Sequence, residues 1–145
     1  MSLGSSANGV YLEILKEKDA GSLEITRIFS LVARQKGDRT EFLVLVLKTL
    51  SHKEAGVRFG AANLLGEIGS ADHASAIVPL LSDEESIVQS HAAHAIAKIG
   101  TAKELEAFER RLSVRHTADN PDLLDDLKGC RERLKKRLED AKKKE

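Results

Sequence analysis

The sequence has one cysteine, no tryptophan, no excess of either charge and no long hydrophobic run. Cys130 has no second thiol with which to form an intramolecular disulfide, so we expect a reducing, cytoplasmic compartment. The longest aliphatic run, residues 42–47, is far shorter than the roughly 20 residues that span a bilayer. These absences exclude a disulfide scaffold and argue against a membrane-spanning helix.

The charges cancel, because 23 lysines and arginines stand against 23 aspartates and glutamates. No net field draws such a chain to nucleic acid or to an anionic membrane, so we expect neither as a partner. Residues 1–6 have neither a basic start nor an apolar stretch of signal-peptide length. We therefore expect residues 1–9 to be disordered or an expression remnant, and residues 10–145 to form one domain.

What the sequence does contain is an internal repeat. Residues 57–70 and 88–101 share a valine, an alanine pair, branched aliphatics, an isoleucine and a glycine in register. In the first copy the apolar residues Val57, Ala61, Leu64, Leu65 and Ile68 fall on one helical stripe, and the second copy repeats that spacing. Gly69 and Gly100 follow these stripes, which predicts that each long helix ends there in a left-handed residue.

Shorter apolar helices are predicted after each glycine, over Ala74–Leu81 and Leu105–Leu112. A weaker copy begins near Ile25, with a short helix at Phe42–Leu50, where strand-forming residues are expected to yield to the repeat context. An N-terminal helix is predicted at Val10–Lys18, and Asn120-Pro121 begins a C-terminal one. The prediction is an all-α superhelix of about three hairpins (residues 22–50, 54–81 and 85–112) with a long capping helix at 120–142.

The pattern Val-Arg-x-x-Ala-Ala-x-x-Leu-Gly-x-Ile-Gly, from Val57 to Gly69, resembles the short HEAT-like repeat first associated with phycobilisome bilin lyases. This resemblance implies an α-α superhelix whose second helices line a concave face used mostly for protein recognition. A minority of relatives act on bilins, hydroxylate a protein lysine derivative or bind DNA.

The residues argue against two of these minority activities. Hydroxylase relatives hold a diiron centre with His-Glu pairs before the alanine pair, where this chain has Phe59-Gly60 and Ser90-His91. DNA-glycosylase relatives use a basic groove with aromatic residues, whereas this sequence is neutral and has a single tyrosine. A bilin lyase-like enzyme stays open as an alternative that the resemblance alone supports.

Helical-wheel geometry predicts a partner-binding ridge opposite the buried stripe. With Ala61 in the core, the residues facing outward are Phe59, Asn63 and Glu67, then Ser90, His94 and Lys98, with His91 on the flank. Phe59 is the first hot-spot candidate, because exposed aromatic anchors often carry binding energy. The alternative is that Phe59 packs against the preceding repeat, including Arg27 or Leu31.

His91 and His94 were also considered as a metal pair, with His73 near the same end of the stack. Structural zinc normally needs four ligands, Cys130 lies in another element, and no acid follows His94 by one turn. We therefore predict interface histidines whose protonation makes binding sensitive to pH between about 5 and 8, with no metal or cofactor. Arg58 is interpreted as structural, bonding the preceding loop or Glu54.

The function predicted is a non-catalytic protein-interaction module or scaffold that binds a protein segment on its concave face. No catalytic residue is predicted, since the glycines lack a nucleotide-loop pattern and Cys130 lies on an apolar stripe. A third possibility is nucleic-acid binding through the basic end of the C-terminal helix, at Lys135, Lys136 and Arg137. The helix macrodipole accounts for the same basic end without a ligand, because it favours cations at a C-terminus.

Overall fold

The computed structural model describes residues 4–17, 20–114 and 119–144. In these ranges the chain forms α-helices and one 3₁₀ helix at Val78–Ser82, with no strand. The α-helices are α1 Gly4–Lys16, α2 Ser22–Arg34, α3 Thr40–Thr49, α4 Ala55–Ile68, α5 Ala71–Ile77, α6 Ser86–Ile99, α7 Ala102–Leu112 and α8 Pro121–Lys142. The predicted all-α superhelix is confirmed, and the described residues contain no helix long and apolar enough to cross a membrane.

The helices form two rows. The longer helices α2, α4, α6 and α8 pack side by side, with the most extensive contact between α4 and α6. The shorter helices α3, α5 and α7, together with the 3₁₀ helix, cover the other side, and α1 packs against α2 and α3. The predicted stripes form the core between the rows, where Val57, Ala61, Val88 and Ala92 have no solvent exposure.

The hairpins are offset by one helix from the predicted boundaries. Each short element packs mainly against the long helix that follows it, so α3 pairs with α4, α5 and the 3₁₀ helix pair with α6, and α7 pairs with α8. By contrast, α4 meets α5 only slightly, near the turn that joins them. The units 22–50, 54–81 and 85–112 therefore divide hairpins instead of containing them, and α8 is both a cap and the second helix of the last hairpin.

Gly69 and Gly100 end their helices for a different reason from the one predicted. Their φ angles are −79° and −68°, so neither adopts the left-handed conformation. A Cβ at Gly100 would lie 2.6 Å from the Ile96 carbonyl oxygen, and one at Gly69 would lie still closer to the Leu65 carbonyl. Glycine is needed here because the chain leaves the helix too close to its last turn for a side chain.

Other boundaries shift by a few residues. α1 begins at Gly4, so residues 4–9 belong to the helix and not to the disordered segment expected from the sequence; residues 1–3 and Lys18 lie outside the described ranges. Thr101 and Glu104 form a reciprocal capping box, which starts α7 at Ala102. Pro79 falls in the first turn of the 3₁₀ helix, so the predicted helix Ala74–Leu81 is divided into two elements.

Candidate protein-binding surface

The ridge residues lie on one face, formed by α2, α4, α6 and α8. Glu67 and Lys98 are exposed, and the other ridge residues are partly buried. The adjacent helices α4 and α6 bring the two halves of the ridge together, as the repeat predicts. The surface therefore consists of the solvent-facing residues of the two most similar repeats, on α4 and α6, and the buried residues of the same helices form the core beneath it.

Phe59 packs against the following repeat. Its ring stacks on His91, with centroids 4.8 Å apart and planes 20° from parallel. His91 Nδ1 lies 2.9 Å from Asn63 Oδ1, so this imidazole is held by both residues of α4. The stack is with the following repeat, whereas the alternative expectation from the sequence was packing against Arg27 or Leu31 of the preceding repeat. Burial, then the neighbouring His94, lowers the pKa of His91, while Asp126 opposes that shift.

A second polar cluster joins α6 to α8. Asp126 accepts hydrogen bonds from Ser90 Oγ and, over 2.9 Å, from His94 Nε2. Arg133 Nη2 lies 3.0 Å from His94 Nδ1 and 2.8 Å from Cys130 Sγ. Because a guanidinium only donates, His94 Nδ1 accepts and Nε2 carries the ring proton. Among the ridge residues, Ser90 and His94 thus position α8.

His91 and His94, whose pairing on a metal the sequence argues against, have separate partners in the structure. His91 is bonded to Asn63 on α4, whereas His94 is bonded to Asp126 on α8. The carboxylate that the helix of His94 lacks is supplied by a residue 32 positions away in sequence. Helical spacing within α6 contains no information about this partner.

Arg58 is structural, as predicted, but its acidic partner is not Glu54. Its Nη1 donates to the carbonyls of His52 and Lys53 at 2.9 and 3.0 Å, which confirms the contact with the preceding loop. Its Nε and Nη2 form a two-point ion pair with Asp83, each at 2.8 Å. Burial of Asp83 raises the pKa of its carboxyl, but the hydrogen bonds from Arg58 and from the Glu85 backbone, together with the charge of Arg58, outweigh burial and leave that pKa below its usual range.

The corresponding residue of the next repeat, Gln89, makes a different contact, as its identity predicts. Its Nε2 donates to the backbone carbonyl of Asp83 at 2.6 Å, and its Oε1 accepts from Arg111 Nη2 at 2.6 Å. One loop residue, Asp83, is therefore bound through its side chain by α4 and through its backbone by α6. This shared loop fixes the spacing of the two helices that carry the ridge.

Some of the basic residues of α8 bond within the molecule. Arg137 Nε donates to the Ala97 carbonyl at 3.2 Å, and its Nη2 donates to the Gly100 carbonyl. These carbonyls lie at the C-terminus of α6, where helical carbonyls lack partners and the dipole favours a cation. Arg133 is occupied by His94 and Cys130 as described above, while Lys135 and Lys136 are exposed.

Helical spacing does not predict a groove of about 530 Å³ that lies on this face between α2 and α4. Phe59 supplies partly exposed apolar surface, Phe29 and Leu64 contribute from buried positions, and Gly56 leaves open space because it lacks a side chain. Leu23, at the groove edge, is 66% exposed. The polar lining consists of Ser22, Thr26, Ser30, Asn63 and Glu67. Glu67 is the only charged residue described in this lining.

The sequence of these helices matches a known protein family. The HEAT repeat family matches residues 41–125, from α3 to the first turn of α8. The chain therefore belongs to the HEAT repeat family. No curated protein and no solved structure matches the chain.

Proposed function

We propose that this protein is a non-catalytic interaction module that binds a segment of a partner protein in the groove between α2 and α4. The observation that carries the proposal is the combination of a 530 Å³ apolar groove with Leu23 standing 66% exposed at its edge. Exposed apolar surface rimmed by polar groups is typical of recognition sites. HEAT repeats generally mediate protein–protein interaction, which is consistent with this use.

The groove chemistry defines the segment that it fits. Half-buried Phe59 and exposed Leu23 offer apolar surface for one aliphatic or aromatic side chain, while Phe29 is buried and packs against Gly60. Glu67 contributes a single exposed carboxylate at the rim. We infer a partner segment with an apolar anchor and a lysine or arginine positioned to reach Glu67.

The ridge extends this site across α6. Phe59 belongs to both features, because it lines the groove and stacks on His91. Asn63, Ser90, His91 and His94 are already held by contacts between helices, so little side-chain entropy is lost on binding. Lys98 adds an exposed cation beside the ridge. We propose that these side chains contact the part of the partner that continues beyond the groove.

The lyase-like sequence of Val57–Gly69 supports repeats of the short type, but we propose recognition rather than bilin chemistry. Bilins carry propionate carboxylates, which proteins bind with cations. The described residues that line the groove include no lysine, arginine or histidine, and Glu67 repels such a ligand. We propose that the module is cytoplasmic, because its single cysteine cannot form an intramolecular disulfide.

A displayed library of random peptides, selected on the purified protein, tests this proposal. We expect selected peptides to share an apolar anchor and a nearby basic residue. Leu23→Glu should weaken their binding at least about tenfold, which corresponds to about 1.4 kcal/mol. Val44→Glu is the matched control, because Val44 is also exposed, at 51%, but lies on α3 outside the groove lining.

Glu67→Lys separates the electrostatic part of recognition from the apolar part. It should weaken the basic peptides and favour variants with an acidic residue at the same position. Equal binding by wild type and Leu23→Glu would contradict the groove proposal. Binding of single-stranded nucleic acid that falls steeply with salt and is lost on charge reversal at Lys135 and Lys136 would support the alternative function instead.

A further inference from the structure

Three side chains with metal-binding atoms meet where α8 crosses α6. They are His94 on α6 and Asp126 and Cys130 on α8, and their ligand atoms all lie within 4.8 Å of one another. Asp126 and Cys130 share a helix face because they are four residues apart. Cys130 is fully buried, while the side chains of His94 and Asp126 are 43% and 30% exposed, so the cluster is open to solvent on one side.

We propose that His94, Asp126 and Cys130 form a zinc site that fastens α8 to α6. Imidazole nitrogen, thiolate sulfur and carboxylate oxygen are the ligand types that Zn²⁺ takes, and three protein ligands leave a fourth position for water. The packing of α6 against α8 already brings these groups together. The site is independent of the groove and of the partner proposed for it.

The His94–Asp126 pair requires only a small movement, whereas ligand atoms separated by up to 4.8 Å must approach by about 1 Å to reach tetrahedral spacing. His94 Nε2 and Asp126 Oδ1 are 2.9 Å apart, joined by one proton. Metal–ligand distances of about 2.0–2.3 Å place neighbouring tetrahedral ligands about 3.5 Å apart, so zinc can replace that proton after a shift of roughly half an ångström. Cys130 binds as the thiolate and releases its proton to solvent. Ser90 stays bonded to Asp126 as an outer partner that orients the carboxylate.

Arg133 competes with the metal. Its guanidinium bonds both Cys130 Sγ and His94 Nδ1. When Nε2 binds zinc, the remaining imidazole proton moves to Nδ1, which then no longer accepts from Arg133. Arg133 is an exposed side chain on the outer surface of α8, so it can turn toward solvent. Its displacement reduces the affinity of the site, and its removal should raise that affinity.

The test is a titration of the metal-free full chain with Co²⁺, followed by displacement with Zn²⁺. We expect one ion per chain, the visible absorption of tetrahedral cobalt and a near-ultraviolet thiolate-to-cobalt band. Zn²⁺ should raise the melting temperature by stabilising the folded state. His94→Gln and Cys130→Ser should weaken binding by more than the roughly 10–100-fold that loss of an outer partner costs. Cys130→Ser should also abolish the thiolate band.

Two further variants make the result specific. His52→Gln, in the loop before α4, should leave metal affinity unchanged because the His52 ring bonds the Glu54 backbone, away from α6 and α8. Arg133→Gln should bind Zn²⁺ at least about tenfold more tightly than wild type. Circular dichroism of each metal-free variant shows whether it is folded. The proposal is overturned if wild type lacks the thiolate band, if folded His94→Gln binds zinc as wild type does, or if binding occurs only in Arg133→Gln.

Discussion

At the scale of single residues, Arg58 shows how a buried charge joins parts of the chain that are distant in sequence. Its guanidinium bonds the loop before α4 and the carboxylate of Asp83, which follows the 3₁₀ helix. A buried ion pair is expensive to form but more expensive to break, because the remaining charge is left in a poorly solvated place. The contact therefore specifies the relative position of two loops.

Replacing Arg58 tests that cost. Arg58→Met is expected to lower the free energy of unfolding by about 3–5 kcal/mol, because it leaves Asp83 buried without a counter-charge. Urea unfolding at neutral pH, followed by circular dichroism, measures the loss. The double variant Arg58→Met/Asp83→Asn should recover part of it, since the uncompensated charge is then absent. A loss below about 1 kcal/mol in the single variant would show that the pair is solvated in solution.

The environment of Glu104 makes the stability of the fold depend on pH. Its carboxylate is buried and accepts hydrogen bonds from the Thr101 hydroxyl at 2.6 Å, the Thr101 backbone at 2.8 Å and the Ser75 hydroxyl at 2.9 Å. Burial alone raises the pKa of Glu104, but these hydrogen bonds outweigh it and leave the pKa below the usual glutamate value. A carboxyl whose pKa is lower in the folded state stabilises the fold above its unfolded pKa, and this stability is lost as the pH falls through the folded pKa.

Glu104→Gln isolates this contribution. At pH 7 it is expected to cost about 1.5–3 kcal/mol, the range for hydrogen bonds to a charged group. The difference from wild type should shrink as the pH falls through the lowered pKa of Glu104. Denaturant unfolding at a series of pH values measures it, with Glu106→Gln, an exposed residue of the same helix, as the control. A difference that is constant down to strongly acidic pH would rule out ionisation as its source.

At the scale of elements, Gly66 explains why α4 and α6 lie so close. A Cβ at Gly66 would lie 2.9 Å from both Cα and Cβ of Ala95, so the two backbones approach through a position without a side chain. The contact between these helices is the most extensive in the described structure. Alanine would favour the isolated helix by up to about 1 kcal/mol, but here the steric conflict with rigid backbone outweighs that gain.

Two glycine-to-alanine variants separate helix propensity from packing. Gly66→Ala is expected to destabilise the protein by about 1–3 kcal/mol, because α4 must move away from α6. Gly129→Ala in α8 is the matched control, since a Cβ there has no atom within 4 Å, and it should stabilise by about 0.5–1 kcal/mol. Thermal unfolding of both variants measures the two effects. Equal shifts in the same direction would contradict close packing at Gly66.

The repeat predicted the elements better than it predicted their grouping. A period fixes how far apart equivalent residues lie, but it does not say where a unit begins. Each short helix was therefore assigned to the long helix before it, whereas in the structure it packs against the one after it. The helix at Phe42–Leu50 is confirmed against its strand propensity, because the repeat context outweighs that propensity; it buries Phe42, Leu45 and Val46 on one face and leaves Val44 exposed.

Contacts between distant residues account for most of what the sequence could not reveal about the site. The outward position of Phe59 and His91 follows from helical spacing, but their stacking depends on the distance between α4 and α6. The groove depends on how α2 approaches α4, and the cluster around Asp126 depends on how α8 crosses α6. These relations are tertiary, so periodicity within one helix has no information about them.

At the scale of the whole molecule, the long helices α2, α4, α6 and α8 form a row in which each contacts mainly its neighbours. In such arrays stability is approximately a sum of local terms and neighbour interfaces, so it varies along the chain. Helices α4 and α6 are covered on both sides by other long helices. In α1, none of the side chains that the structure describes, residues 9–16, is fully buried. Stability should therefore be highest in the middle of the row and lowest at α1.

Native-state hydrogen exchange tests this gradient. Amides in the centres of α4 and α6 are expected to exchange only through global unfolding, whereas those of α1 should exchange through local opening with little dependence on denaturant. Leu127→Ala removes a fully buried side chain of α8 and should cost about 2–5 kcal/mol. If the molecule behaves as a linear array, that variant should lower protection in α6, α7 and α8 much more than in α2 and α3. A uniform loss along the whole chain would instead show that these helices unfold as one cooperative unit, because neighbour coupling then exceeds the local differences in stability.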